Sequence, residues 1–361
     1  LFLSYHYDAV FSIKNTKLLK NNIAFAILNI TSLKERKDFV MLKTIKGSWF
    51  EFQHHNIPEG KYWNPICRHF SEEQWREKIR EMKSLDMEYI VLLCSSLVYE
   101  NYAESYFDSG IYPFAKDFGC PNPIEVLLDE AEKQDMKVFM SVGYYGFWEH
   151  AYENMIDPEV TKRAFVAMEK LYAQFGHFKS FYGWYYPDEV CINKYFNDDF
   201  MDYVNRYSAF AHSLNKDHKI LIAPYGTNIL VADDKYVSQL EKLDCDFIAY
   251  QDEVGVRKST PDQTEAYYAA LKKAHDKAGR AALWADMEVF EFEGDVYRSA
   301  LIPAKMERIE RQLKSISPYV EKVLIYEYLG MMNKPGTTAF CGHPDSIQLY
   351  RDYQEFLRRN K

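Results

Sequence analysis

The sequence predicts an α/β fold: a single (β/α)8 or TIM barrel preceded by a short, loosely patterned N-terminal extension. Three observations predict it. From Met41 onward, strand-like apolar runs and helix-like amphipathic segments alternate with a repeat of roughly 40 residues. Some strands are apolar without a break, as in Tyr89-Ile90-Val91-Leu92-Leu93-Cys94, the pattern of a parallel strand covered on both faces. No Gly-x-Gly-x-x-Gly follows the first strand and no phosphate-binding glycine loop occurs, so the main reason to expect an open dinucleotide-binding sheet is missing. Eight consecutive units with no change of composition suit a closed barrel better than a doubly wound sheet.

The first strand spans Ile45 to Phe52, and Ser71-Glu72-Glu73-Gln74 then opens a helix. Those four residues form a capping box, in which the serine oxygen and the glutamine side chain satisfy free backbone N–H groups. Trp75, Ile79, Met82 and Leu85 follow at helical spacing and give that helix a buried stripe. The second strand, Tyr89–Cys94, runs into a long loop to Pro121, rich in Tyr99, Tyr102, Tyr106, Phe107, Tyr112 and Phe114, read as either a lid over a site or a packed cover. A helix around 124–134 precedes the third strand, Val138–Gly143; Asp157-Pro158 starts the next helix with an N-cap and a first-turn proline. The fourth strand is Phe181–Tyr186, ending in Pro187-Asp188-Glu189. Its helix aligns Phe200, Tyr203, Val204, Tyr207, Phe210 and Leu214. Strands five to eight follow at Ile220–Ala223, Phe247–Glu253, Ala281–Glu288 and Val323–Tyr328, with helices at 235–243 and 262–277 between them and a last helix at 345–357.

Residues 1–40 contain no glycine or proline and are rich in Asn, Lys, Ile and Leu. They lack the small-residue cleavage site of a signal peptide. Residues 1–40 are therefore read as an N-terminal extension, either loosely attached or not part of the natural domain, and 41–361 as the barrel. A chain beginning at Leu1 is also compatible with a fragment that has lost an export signal.

Composition narrows the function. The net charge of −9 and pI near 5.7 argue against nucleic acid, which needs a basic face. No apolar run is long enough for a membrane span. The six cysteines are scattered without a Cys-x-x-Cys pair. Cys94 and Cys245 fall in apolar strands as buried thiols, so a reducing compartment and a cytoplasmic location are expected. Aromatic residues reach 16%, more than a core requires, and rings stack well on the C–H faces of sugars.

In a barrel of this kind the active site lies at the C-terminal ends of the strands. Here those ends gather Glu51, His54, Tyr144, Tyr145, Asp188, Glu189, Tyr225, Asp252, Glu253, Asp286, Glu288 and Glu327. Any one alone reads as a helix cap or a solvated charge. Like charges gathered on one rim repel, however, and folding alone does not call for them. On strand seven, period-two alternation turns Trp284, Asp286 and Glu288 to the barrel interior and Leu283, Ala285 and Met287 to the helices.

Trp184-Tyr185-Tyr186-Pro187-Asp188-Glu189 and Trp284-Ala285-Asp286-Met287-Glu288 resemble the (β/α)8 glycoside hydrolase superfamily, whose retaining members place the acid/base glutamate at strand four and the nucleophile at strand seven. More closely, the chain from Gly47 onward resembles a bacterial domain family of unknown function within it, through Gly47-Ser48-Trp49-Phe50-Glu51-Phe52, Tyr250-Gln251-Asp252 and Trp284…Glu288. The resemblance implies Glu189 as acid/base and Glu288 as nucleophile. It departs at Asp188, where the superfamily usually has an asparagine contacting the sugar 2-hydroxyl, and that puts the role of Asp188 in doubt.

The expectation is therefore a retaining glycoside hydrolase acting on an oligosaccharide or glycoside without a cofactor. Asp188, Gln251, Asp252 and Glu327 are expected to contact sugar hydroxyls or support those that do, with a structural ion pair to a nearby Lys or Arg as the equal alternative for Asp252 and Glu327. Trp49, Tyr145, Tyr186, Tyr225, Trp284 and Tyr328 are candidates to stack on sugar rings, with core packing as the alternative. Glu51 and His54 complete the candidate substrate contacts. No metal is expected, because His54 and His55, adjacent on an extended segment, would point apart; metal ligation by His54 with Glu51 is the minor alternative. Two other readings stay open: a metal-dependent sugar isomerase or epimerase using Glu51, His54, Glu189, Asp252 and Glu288, and a non-catalytic carbohydrate-binding barrel. Oligomeric state is open, since exposed aromatics serve a subunit interface as readily as a substrate.

Overall fold

The structure, a computed structural model, describes residues 42–360. The expected extension, residues 1–40, lies outside them. Eight parallel strands close into a barrel: β1 (Ile45–Phe50), β2 (Tyr89–Leu92), β3 (Lys137–Ser141), β4 (Phe181–Tyr185), β5 (Lys219–Ile222), β6 (Phe247–Gln251), β7 (Ala282–Glu288) and β8 (Lys322–Tyr326). The ring is continuous, with Trp49 paired to Val91, Gln251 to Asp286, Glu288 to Tyr326, and Ser48 to Ile325 across the closure. One main helix follows each strand: α1 (Glu72–Ser84), α2 (Pro123–Lys133), α3 (Pro158–Phe175), α4 (Asp198–Leu214), α5 (Asp234–Leu240), α6 (Pro261–Ala278), α7 (Met306–Ile316) and α8 (Ser346–Arg359). α7 is a helix not expected from the sequence, although Met306, Ile309, Leu313 and Ile316 recur there at helical spacing.

The local signals act as their chemistry requires. Ser71 Oγ accepts from the Gln74 backbone N–H while the Gln74 side chain accepts from the Ser71 N–H. Asp157 caps α3 ahead of Pro158. Every strand but β7 ends one or two residues earlier than expected. Phe52, Cys94, Gly143, Glu253 and Tyr328 all lie past the last paired residue, and that shortening matters for the site.

Two apolar layers hold the barrel. Trp49, Tyr89, Val91, Phe139, Tyr185, Leu221, Ala249, Trp284 and Leu324 fill its interior, while Leu283, Ala285 and Met287 join the larger core under the helices. The expected alternation on β7 is thus observed from Leu283 to Met287. Gly183 allows β4 to sit close to β5, since a Cβ there would lie 2.0 Å from the Lys219 carbonyl oxygen.

The 95–121 segment is not a lid. It contains a hairpin, Ser96–Val98 with Ala103–Ser105, and packs on the barrel flank. Tyr106, Phe107, Tyr112 and Phe114 border a separate groove of about 490 Å3 against Ile124 of α2 and Phe175 of α3. A second hairpin, Phe290–Phe292 with Leu301–Pro303, follows β7. Among the described residues no helix is long and apolar enough to cross a membrane.

Candidate active site

At the C-terminal mouth of the barrel lies a cavity of about 500 Å3. Glu189, Asp286 and Glu288 line it together with Gln251, Tyr225, Tyr144, Trp148, Phe290, Tyr297 and Tyr326, and with His55, Glu59, Glu253 and Lys258. The mouth is thus acidic and aromatic, with one lysine at its edge.

Glu189 reaches the cavity because β4 ends at Tyr185 and the chain folds back over the barrel. Tyr185 Oη donates to Glu189 Oε1 at 2.6 Å, and Gln251 Nε2 donates to Oε2 at 2.6 Å. Both donors rise from interior positions of their strands, so the core fixes the carboxyl. Burial pushes Glu189 up to about 7, against the pull of those two hydrogen bonds.

The strand-seven carboxyls differ from each other. Asp286 is buried, its Oδ1 has no partner, and burial with the fields of Glu189 and Glu288 holds it well above the ordinary aspartate range. Glu288 is also raised, by burial and by Asp252. It nonetheless accepts the Val256 N–H at 2.9 Å and feels the positive charge of Arg308. Three carboxyls around one cavity do not all ionise together. Asp286, without a donor or cation, is the one best kept neutral, and Glu288 is better supported as an anion than Asp286.

Of the expected substrate contacts, Tyr225 and Gln251 line the cavity and the rest do not. Trp49 and Trp284 are fully buried inside the barrel, where Trp284 stacks on Phe247 at 4.2 Å. They belong to the core beneath the site. Tyr186 points to the helices, packing against Tyr203 and Tyr207 with its hydroxyl on Ser208. Tyr328 is likewise buried, donating to Glu81, and Tyr145 stacks on Tyr112 under the flank loop. Asp188 turns away from Glu189 to accept from Asn154, and burial raises it to about 7. Asp252 ties β6 to β7 and α7, accepting from the Glu288 N–H and from Gln312 Nε2 at 2.6 Å. Its role is to support Glu288, and it pairs with no Lys or Arg among the described residues.

Glu51, His54 and Glu327 form a separate cluster behind the wall. Glu51 accepts from Trp63 Nε1 at 2.9 Å and meets His54 Nδ1 at 3.0 Å; His54 Nε2 meets Glu59 at 3.1 Å, and Tyr326 Oη lies 3.1 Å from His54 Nδ1. Burial alone would lower His54, but Glu51 and Glu59 reverse this and raise it to about 10. The sequence predicts that His54 and His55 point apart, and they do not. The chain bends after Phe50 instead of continuing extended, and the two rings lie 4.7 Å apart. The five residues required for a metal-dependent isomerase are split between this cluster, the cavity and the Asp252 tie, so that ligand set is not assembled.

Sequence reasoning passed over His55, Trp148, Lys258, Phe290 and Tyr297. The last four sit on connections beyond the strands, where periodicity gives no direction. Asp286 was expected on the inward face of β7 but given no role, and Tyr326 was within reach because alternation along β8 points it inward.

A (β/α)8 barrel with an acidic, aromatic cavity at its C-terminal mouth is the class of protein that fold and site define. The chain belongs to the family described as a domain of unknown function, DUF4434, whose model matches residues 45–339. No curated protein matches the sequence. Among solved structures, a Bacteroides thetaiotaomicron protein provisionally described as an alpha-L-fucosidase is similar with a TM-score of 0.69 and 17% identity, covering 88% of this chain and 94% of that one. An endo-1,4-beta-mannanase from Rhizomucor miehei is similar at a TM-score of 0.53 and 10% identity, covering 88% and 95%. A Bacteroides uniformis beta-glucuronidase is similar at 0.52 and 13%; the match covers 88% of this chain but 35% of that longer one. At these identities the likeness is one of fold.

Proposed function

We propose that this barrel hydrolyses glycosidic bonds with retention, Glu189 acting as general acid/base and Glu288 as nucleophile. One observation carries the reading: a glutamate clamped by two buried donors and a second glutamate held by the Val256 N–H line the same aromatic cavity. The glycoside hydrolases among the structural neighbours support it at the level of fold.

In the first step protonated Glu189 gives its proton to the glycosidic oxygen while Glu288 bonds to the anomeric carbon and the aglycone leaves as an alcohol. In the second, Glu189 takes a proton from water, whose oxygen displaces Glu288 and restores both carboxyls. Tyr225 and Trp148 offer ring faces for the sugar. Neutral Asp286 has a proton to donate to a sugar hydroxyl. The substrate is an oligosaccharide or glycoside.

The test is a panel of aryl glycosides and oligosaccharides. Glu189→Gln and Glu288→Gln should each lower kcat/KM by about 100-fold or more while circular dichroism stays unchanged. Full activity in either variant rejects the assignment.

A further inference from the structure

The cluster at the end of β1 plays no part in the hydrolytic steps above. Glu51, His54 and His55 each offer one ligand atom, and those atoms lie within 4.8 Å of one another. We propose that they bind a divalent metal ion of the class that prefers mixed nitrogen and oxygen ligands, typified by Zn2+, with Glu327 beside them as a further oxygen donor.

The donor set is the first reason. Two imidazoles and a carboxylate suit Zn2+ and its neighbours, not the all-oxygen sites of Ca2+ or Mg2+. Orientation is the second. His54 Nε2 is held by Glu59, which leaves Nδ1 directed at Glu51, and Trp63 Nε1 holds one Glu51 oxygen so that the other faces His54. A carboxylate behind the imidazole is the usual way a metal-binding histidine is fixed.

The unpartnered atoms are the third reason, and they are independent of the cluster itself. Glu327 is 0% exposed, and neither of its carboxyl oxygens has a hydrogen-bond donor. Its side chain lies against Glu51. The Nδ1 atom of His55 is also buried without a partner. No Lys or Arg among the described residues pairs with Glu51, Glu59 or Glu327; His54 is the one ionisable counter-group that meets Glu51 and Glu59, and it does not reach Glu327. Burial and Glu51 hold Glu327 well above the ordinary glutamate range, and a dication at this point would let both carboxyls ionise.

Access and fit agree. His55, Glu59 and Tyr326 line the cavity, so an ion has a route in and an open side facing the sugar site. Two ligands bonded at roughly 2.1 Å lie no more than about 4.2 Å apart, so a small inward turn of half-buried His55 completes the site.

The experiment reads metal binding, so its outcome does not depend on whether the barrel is a glycosidase. The full chain is stripped with chelator, desalted and titrated with ZnCl2 by calorimetry, with elemental analysis after a second desalting. The expected result is one Zn2+ per chain, a rise in Tm, and visible absorption bands when Co2+ replaces Zn2+. His55→Ala, at the cavity wall and expected to fold, should weaken binding at least tenfold; Glu51→Gln and Glu327→Gln should do the same where circular dichroism confirms folding. No retained Zn2+, or wild-type affinity in folded His55→Ala, overturns the proposal.

Discussion

Glu189 keeps its proton to higher pH than an ordinary glutamate because the barrel mouth removes its water, while Tyr185 and Gln251 stabilise the ionised form. As the acid of the first step it must start protonated, so kcat/KM should fall as pH rises through about 7. Tyr185→Phe deletes one donor to the carboxylate. The descending limb should then move up by about one to two pH units, since a hydrogen bond to a charged group is worth roughly 1.5–3 kcal/mol. A pH–rate profile decides it, and an unmoved limb assigns control elsewhere. The same shift makes a stability statement. Between 4.5 and about 7 the folded chain holds the Glu189 proton and the unfolded chain does not, so this carboxyl costs stability as pH rises across that window. Glu189→Gln should therefore melt no lower than the parent at pH 8 while being inactive. A large drop in Tm would mark Glu189 as structural.

At the scale of elements, the barrel depends on close strand approach at a few positions and on which way each strand end turns. Gly183→Ala would drive a methyl into the Lys219 carbonyl between β4 and β5. Because β4 also carries Tyr185 and leads to Glu189, that substitution should cost a few kcal/mol in urea unfolding and lower activity as well. Wild-type stability would mean the strands part easily. The strand ends also explain which site residues were legible in the sequence. Asp286 and Glu288 lie within the paired length of β7, where alternation fixes their direction. Asp188 and Glu189 lie past the end of β4, and the bend there sends one to Asn154 and the other to Tyr185 and Gln251. His54 and His55 lie past β1, where a bend brings the rings together although an extended chain would separate them.

For the whole molecule, the proposed activity requires a ligand that binds the folded barrel alone. With inactive Glu189→Gln, a true substrate at 100 times its Kd should stabilise the fold by about 2.7 kcal/mol, a rise of a few degrees in Tm, without turnover. A panel of glycans read by thermal shift thus separates sugar binding from catalysis. If none shifts the Tm, the cavity takes a different class of ligand.

The sequence by itself determined the order of the strands and of the main helices other than α7, the closed barrel and the inward face of β7, because apolar periodicity and capping chemistry are local. It also marked the acidic rim. Tertiary structure alone decided that Trp49, Trp284 and Tyr186 are core, that the 95–121 loop covers the flank, and that Glu51, His54 and Glu327 gather behind the cavity and not in it. The physical reason is that backbone pairing dictates side-chain direction only while the ladder lasts. Beyond it, direction is set by contacts between segments far apart in the chain, such as Tyr326 against His54 and Gln251 against Glu189.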